Sequence, residues 1–207
     1  MAEVSAADVQ RLRQASGAGM MDAKRALVET GGDFEQALEL LKVKGLAKAA
    51  KRAEREASEG AIGSYVHYQS DRPVTGVLVQ LTCETDFVAK NADFRLTADD
   101  IAMHIAWADP RWTRREDADP TVVEEQRDLF ARQAKEEGKP DEVIPRIVEG
   151  RMQSFYEDNV LYDQTFVNNQ KFEGTIEQMV QQLGMRMGEN IGVKGFARLA
   201  IGEQGVK

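Results

Sequence analysis

Apolar residues recur first at helical spacing, then at alternate positions, then at helical spacing again. This order predicts helices on both sides of a strand pair. Val9 and Leu12 share one face of a first helix, opened by Ser5 with Asp8 three residues on, a variant of the usual Ser/Thr–Glu/Gln capping pair. Ser16-Gly17-Ala18-Gly19 breaks that helix. A second runs from about Met20 to Glu29, with apolar surface from Ala23, Leu27 and the Met pair, and Thr30-Gly31-Gly32 ends it. Asp33 caps a third, with Gln36 at the partner position; Phe34, Ala37, Leu38 and Leu41 supply its buried face, and Gly45 is expected to stop it. Residues 1–45 therefore read as a small three-helix bundle, marginally stable alone. Residues 46–60, rich in Ala, Lys, Arg and Glu, read as a helical linker, with Gly60 marking a new pattern.

From Ala61 to Gln69 the residues alternate, with Ile62, Val66 and Tyr68 sharing one parity. Ser70-Asp71-Arg72-Pro73 signals a turn. Val74 to Cys83 is a second strand with Val77, Val79, Leu81 and Cys83 on one face, so the two form an antiparallel hairpin. Helices follow over Phe94–Ala108 (apolar at Leu96, Ile101 and Ile105), Pro120–Glu137 and Asp141–Glu157. Val122, Val123, Leu129 and Phe130 supply the apolar positions of the second of these; Ile144, Ile147, Val148, Met152 and Phe155 supply those of the third. Gly138-Lys139-Pro140 joins them as a helical hairpin at about 120–157. A short helix over Thr175–Leu183 and a last strand over Asn190–Ile201 complete the chain. The expected fold class is α+β: the N-terminal bundle, then a core over 61–207 with an antiparallel sheet and the helical hairpin.

Composition narrows the function. The 207 residues are 42% hydrophobic and 30% charged, ordinary for a soluble globular protein. The net charge of -8 disfavours nucleic acid as a direct partner, and the basic segment Lys48–Arg55 is broken or flanked by Glu54, Glu56 and Glu59. No apolar run approaches the roughly 20 residues of a bilayer span. Met1-Ala2-Glu3-Val4 does not begin a secretory leader, and the single cysteine, Cys83, fits a reducing compartment; a cytoplasmic location is expected. Cys83 with only His67 and His104 cannot assemble a Cys/His zinc site, and no cofactor is implied.

Signatures of catalysis are missing. There is no Gly-Xaa-Ser-Xaa-Gly elbow and no phosphate-binding loop. Gly17-Ala18-Gly19 lacks a third glycine and follows a helix where a dinucleotide fingerprint needs a strand. Glu84 and Asp86, two apart at a strand end, lie on one side and could form the acid/base pair of a small hydrolase, but two carboxylates alone are weak evidence and that reading ranks last. Cys83 lies in an apolar strand pattern and reads as a small buried hydrophobe. His104, between Ile101 and Ile105, reads first as a packed helix histidine. More informative is Thr82-Cys83-Glu84-Thr85-Asp86-Phe87-Val88-Ala89-Lys90. There a strand ends, Thr85 or Asp86 can cap a helix, and Phe87-Val88 follows at once. That pair either turns back to the core or forms an aromatic wedge on a rigid tip.

Two stretches resemble the translation elongation factor Ts family: Leu12-Arg13-Gln14-Ala15-Ser16-Gly17-Ala18-Gly19-Met20-Met21-Asp22-Ala23-Lys24-Arg25-Ala26-Leu27 and Cys83-Glu84-Thr85-Asp86-Phe87-Val88-Ala89-Lys90. Lys44-Gly45-Leu46-Ala47-Lys48-Ala49-Ala50-Lys51, Ile101-Ala102-Met103-His104-Ile105-Ala106, Val148-Glu149-Gly150-Arg151-Met152 and the final strand add to the likeness, which covers nearly the whole chain. Ser16 stands where the family usually has Thr, and Gln80 and Thr82 replace its usual Glu and Asn. The resemblance implies a non-enzymatic guanine-nucleotide exchange factor for elongation factor Tu, with a UBA-like N-terminal domain. By motif match, Arg13, Met20, Met21 and Lys24 would grip the GTPase domain of Tu. The Asp86-Phe87-Val88 tip would enter near its bound magnesium, and His104 would be a further contact. Some family members carry a second half of the core, so this chain is expected to form a homodimer. The alternative is an interaction adaptor that binds through residues 1–45 alone.

Overall fold

Local capping chemistry sets the first elements. Ser5 accepts a hydrogen bond from the Asp8 N–H and opens α1 (Ala6–Ser16). Gly17, at φ 68°, closes it in the left-handed conformation that glycine adopts without strain. Next comes α2 (Met20–Glu29), and Asp33 then caps α3 (Phe34–Ala53) through the Gln36 N–H. The computed structural model describes residues 4–203. It is a mixed helix and sheet architecture of the α+β class, as the hydrophobic pattern predicts.

After α3 come β1 (Glu59–Gln69), β2 (Arg72–Cys83), α4 (Asp86–Ala89), α5 (Ala92–Ala108), α6 (Pro120–Glu136), α7 (Ile144–Asn159), α8 (Ile176–Met187) and β3 (Gly192–Ala200). The strands form one antiparallel sheet in the order β1-β2-β3. Residues fall into two compact units. One comprises the chain up to Ile62, Gln80–Thr97 and Gln178–Val193; the other comprises Gly63–Val79, Ala98–Glu177 and the segment from Lys194 onward.

In the first unit, Val9, Leu12, Ala23, Ala26, Leu27, Ala37 and Leu41 bury against one another and hold α1, α2 and α3 together. The expected stop at Gly45 is not there: α3 continues to Ala53 and absorbs half of the expected linker. The glycine answers a distant residue instead. A Cβ at Gly45 would lie 2.5 Å from Met185 Sδ, so the missing side chain leaves room for α8. Gly60 plays a similar part in the sheet, where an added Cβ would meet the Leu81 carbonyl oxygen at 2.2 Å.

In the second unit, β1 lies against α5: a Cβ on Gly63 would sit 2.3 Å from the Ala98 carbonyl. This close approach fixes which face of β1 turns inward. Gly63 is buried and Tyr65 and His67 are half-buried, whereas Val66 and Tyr68 are exposed. Ile62, in the first unit, follows the same parity and is also exposed. On β2, Val77, Val79, Leu81 and Cys83 are all buried, as their alternation predicts. Leu96 and Leu129, assigned to apolar helix faces, are exposed instead. The helical hairpin forms, with Ala134, Ile144, Val148 and Met152 in its seam. Its second helix begins at Ile144 and not Asp141, which puts Pro145 in the first turn, where a missing N–H leaves no helical bond unmade. Among the described residues no helix is long and apolar enough to cross a membrane.

Candidate functional site

The segment after β2 is built from three short-range devices. Thr85 has extended backbone angles, and its hydroxyl oxygen accepts from the Val88 N–H at 3.4 Å, capping α4. Asp86 follows in the first turn, where a carboxylate favours the positive end of the helix. Lys90, one turn on, closes a 2.6 Å ion pair with Asp86. That hydrogen bond, then the charge of Lys90, holds the Asp86 carboxyl below its usual range; Asp86 in turn pushes the Lys90 ammonium up.

Capping fixes the directions of the next two side chains. Val88 turns inward and is 5% exposed, while Phe87 stands 79% exposed, a more exposed large apolar side chain than any other identified among the described residues. The two outcomes considered for the apolar pair are thus divided between its members. Phe87 is displayed; Val88 anchors.

A fourth device is long-range and invisible in the local sequence. Glu189, beyond the end of α8, reaches back across 104 residues of chain. Its Oε2 accepts from the Glu84 N–H at 2.9 Å and the Thr85 N–H at 3.1 Å, and its Oε1 from the Thr85 hydroxyl at 2.6 Å. Glu84 answers in kind: its carboxylate accepts from the Asn190 N–H at 2.6 Å and pairs with Arg55 at 3.4 Å. Glu84 is therefore occupied in holding the turn rather than poised beside Asp86 for acid–base work. Burial pushes the Cys83 thiol up, and its S–H points to the Thr85 carbonyl at 3.2 Å, which suits packing and not nucleophilic attack.

Arg13, Met20, Met21 and Lys24 are all exposed, on the last turn of α1 and the first turns of α2. Met20 is 48% and Met21 65% exposed, so neither is a core residue. These four and Asp86, Phe87 and Val88 belong to the same compact unit.

His104 lies in the other unit and is fully buried. Its Nδ1 accepts from the Val167 N–H at 3.3 Å, which leaves Nε2 as the protonated nitrogen, donating to Gln164 Oε1 at 3.0 Å. Both ring nitrogens are satisfied internally, and burial lowers its pKa. The packed-histidine reading accounts for all of this. Among the described residues no group of three or more His, Cys, Asp or Glu side chains could hold a metal ion.

A mixed helix–sheet scaffold that displays an aromatic ring on a capped turn and a methionine pair at an uncapped helix start has the build of a recognition factor and not of a catalytic centre. Comparison with known proteins gives that class a family. Residues 28–203 match the family model described as Elongation factor TS. The Elongation factor Ts of Fervidobacterium nodosum is 50% identical over 201 residues, covering 97% of this chain and all of the relative. Those of Geotalea uraniireducens and Thermosipho melanesiensis are 46% and 45% identical over 200 residues, covering 90% and 100% of the respective relatives. The chain belongs to the elongation factor Ts family, and its role is in translation elongation.

Proposed function

We propose that this protein binds elongation factor Tu and accelerates its release of GDP, acting in the cytoplasm and making or breaking no bond itself. The observation that carries the reading is the Phe87 ring, almost wholly in water on a capped and ion-paired turn. An aromatic side chain left in solvent on a rigid element is the anchor type that dominates protein interfaces. In this mechanism the exposed Met20 and Met21 adapt to an apolar groove on the GTPase domain, with Arg13 and Lys24 at its rim. Phe87 then wedges near the magnesium and phosphate site of Tu, held by polar contacts of Asp86. In this reading Val88 packs beneath the tip and His104 packs within the other unit, so neither touches Tu directly. Weakened phosphate contacts let GDP leave. By linkage, nucleotide weakens the factor's hold on Tu by the same free energy.

The test is release of a fluorescent GDP analogue from Tu. Stimulated release should fall in Phe87→Ala while the thermal unfolding midpoint stays put. Unchanged stimulation in that variant removes Phe87 from the mechanism.

The homodimer belongs to the same proposal. Val66, Tyr68, Leu78 and Leu199 are apolar and about half or more exposed, alternating with inward-facing neighbours. An apolar sheet face in water is suited to covering by a second copy. Light scattering should return twice the 23.1 kDa chain mass; a monomer mass at micromolar concentration refutes the dimer.

A further inference from the structure

We infer that Glu189 is a positioning residue for the Phe87 tip, acting through Thr85; the role rests on the tip being the exchange element. The connection can be followed atom by atom. Glu189 Oε1 takes the Thr85 hydroxyl hydrogen at 2.6 Å. A hydroxyl has one hydrogen and two lone pairs, so this bond turns a lone pair toward the helix, where Thr85 Oγ1 accepts from the Val88 N–H. Glu189 Oε2 meanwhile ties down the two backbone N–H groups that precede the cap, those of Glu84 and Thr85. One carboxylate thus fixes the last peptide units before the tip and also the polarity of the cap itself. Hydrogen bonds to a charged acceptor are about twice as strong as neutral ones, which suits a strut that must hold an exposed turn.

The strut is reciprocal. Glu84 binds the Asn190 N–H, while the Asn190 side-chain amide donates to the Arg55 carbonyl at 2.8 Å. The α8–β3 corner and the β2–α4 corner therefore clasp each other through two adjacent glutamate–backbone contacts. Nothing in this arrangement requires Glu189 to touch Tu. Its effect is on how sharply the direction of the Phe87 ring is defined before contact, and a ring that must first be ordered contributes less to the exchange step.

Two measurements on the full-length chain test this. In Glu189→Ala, amide hydrogen exchange at Glu84, Thr85 and Val88 should quicken by about tenfold or more, with Leu81 and Leu183 unchanged. That readout needs no partner. In stimulated release of fluorescent GDP from Tu, Glu189→Ala should lower the maximal rate, while the factor concentration giving half-stimulation stays within about twofold. The double variant Phe87→Ala/Glu189→Ala should match Phe87→Ala alone, because a strut acting through the ring has nothing left to position. Glu189→Gln keeps an oxygen for the two amides but turns an NH2 toward the Thr85 hydroxyl, which can no longer donate to it, so it should show an intermediate loss of rate and of Val88 amide protection, and it keeps the test open if Glu189→Ala does not fold. Unchanged amide protection, losses that multiply in the double variant, or a shift in half-stimulation at unchanged maximal rate each overturn the assignment. If Phe87→Ala itself stimulates like the native chain, the tip reading fails and this role with it, whereas the amide readout still reports on the strut alone.

Discussion

Phe87 and Val88 are neighbours in sequence and opposites in environment, so truncating each should separate activity from stability. Val88 is 5% exposed. Val88→Ala removes two buried carbons, each worth about 0.8 kcal/mol of transfer free energy, and leaves a cavity, for a total of about 1.5–3 kcal/mol. In a chain of this length each kcal/mol moves the unfolding midpoint by about 2–4 °C, so a drop of roughly 3–12 °C is expected. Phe87 is 79% exposed, and its removal should change stability by no more than about 0.5 kcal/mol. Its cost falls on the complex. Losing an aromatic ring that becomes buried in a partner forfeits about 1.5–3 kcal/mol, or about 10- to 100-fold in the second-order rate constant of stimulated GDP release. Differential scanning calorimetry reads the first quantity, and stopped-flow release at a temperature well below the Val88→Ala midpoint reads the second. The reasoning is refuted if Phe87→Ala lowers the midpoint as much as Val88→Ala does. It is equally refuted if Val88→Ala loses exchange activity while still fully folded.

Other expectations follow from the packing and charges. Gly63→Ala must push β1 off the Ala98 backbone, where no flexible side chain can yield, and should destabilise by at least about 1–3 kcal/mol in chemical denaturation. His104 is neutral in the folded chain with its pKa lowered from 6.5, so the unfolded chain binds a proton that the folded one does not. Stability should therefore fall as pH drops below about 6.5 toward the depressed value, and the drop in unfolding midpoint between pH 7.5 and 5.5 should shrink in His104→Gln. Asp86 is the opposite case: its folded pKa is lowered by Lys90, so its contribution is present above the ordinary value of 3.8 and is lost as pH falls through the folded one. In Lys90→Met the Asp86 carboxyl should titrate nearer 3.8, which carbon-detected NMR can follow.

What could be read from the sequence was what short-range chemistry decides. Ser5 and Asp33 cap helices because the donors they satisfy lie three residues away, and Val77, Val79, Leu81 and Cys83 alternate because a strand has a period of two. Where a distant residue intervened, the local rule failed. Gly45 has the character of a helix stop, yet it lies inside α3, where its missing side chain leaves room for Met185. The parity of Ile62, Val66 and Tyr68 was evident, but its direction depended on how closely Gly63 meets Ala98. The site divides in the same way. The Thr85 cap and the apolar pair could be seen in one short motif, whereas which of Phe87 and Val88 faces water depended on the folded turn. Glu189 gave no signal at all, because its partners lie more than a hundred residues earlier.

An aromatic ring held out in water invites self-association, and the Asp86–Lys90 pair guards against that. The two opposite charges, themselves largely exposed, bracket the ring along one turn. At this tip they keep the greasy surface to a single side chain, far smaller than the apolar sheet face proposed to join two copies. Solubility and readiness are thus met by the same three side chains, and neutralising either charge should first become visible as precipitation on concentration.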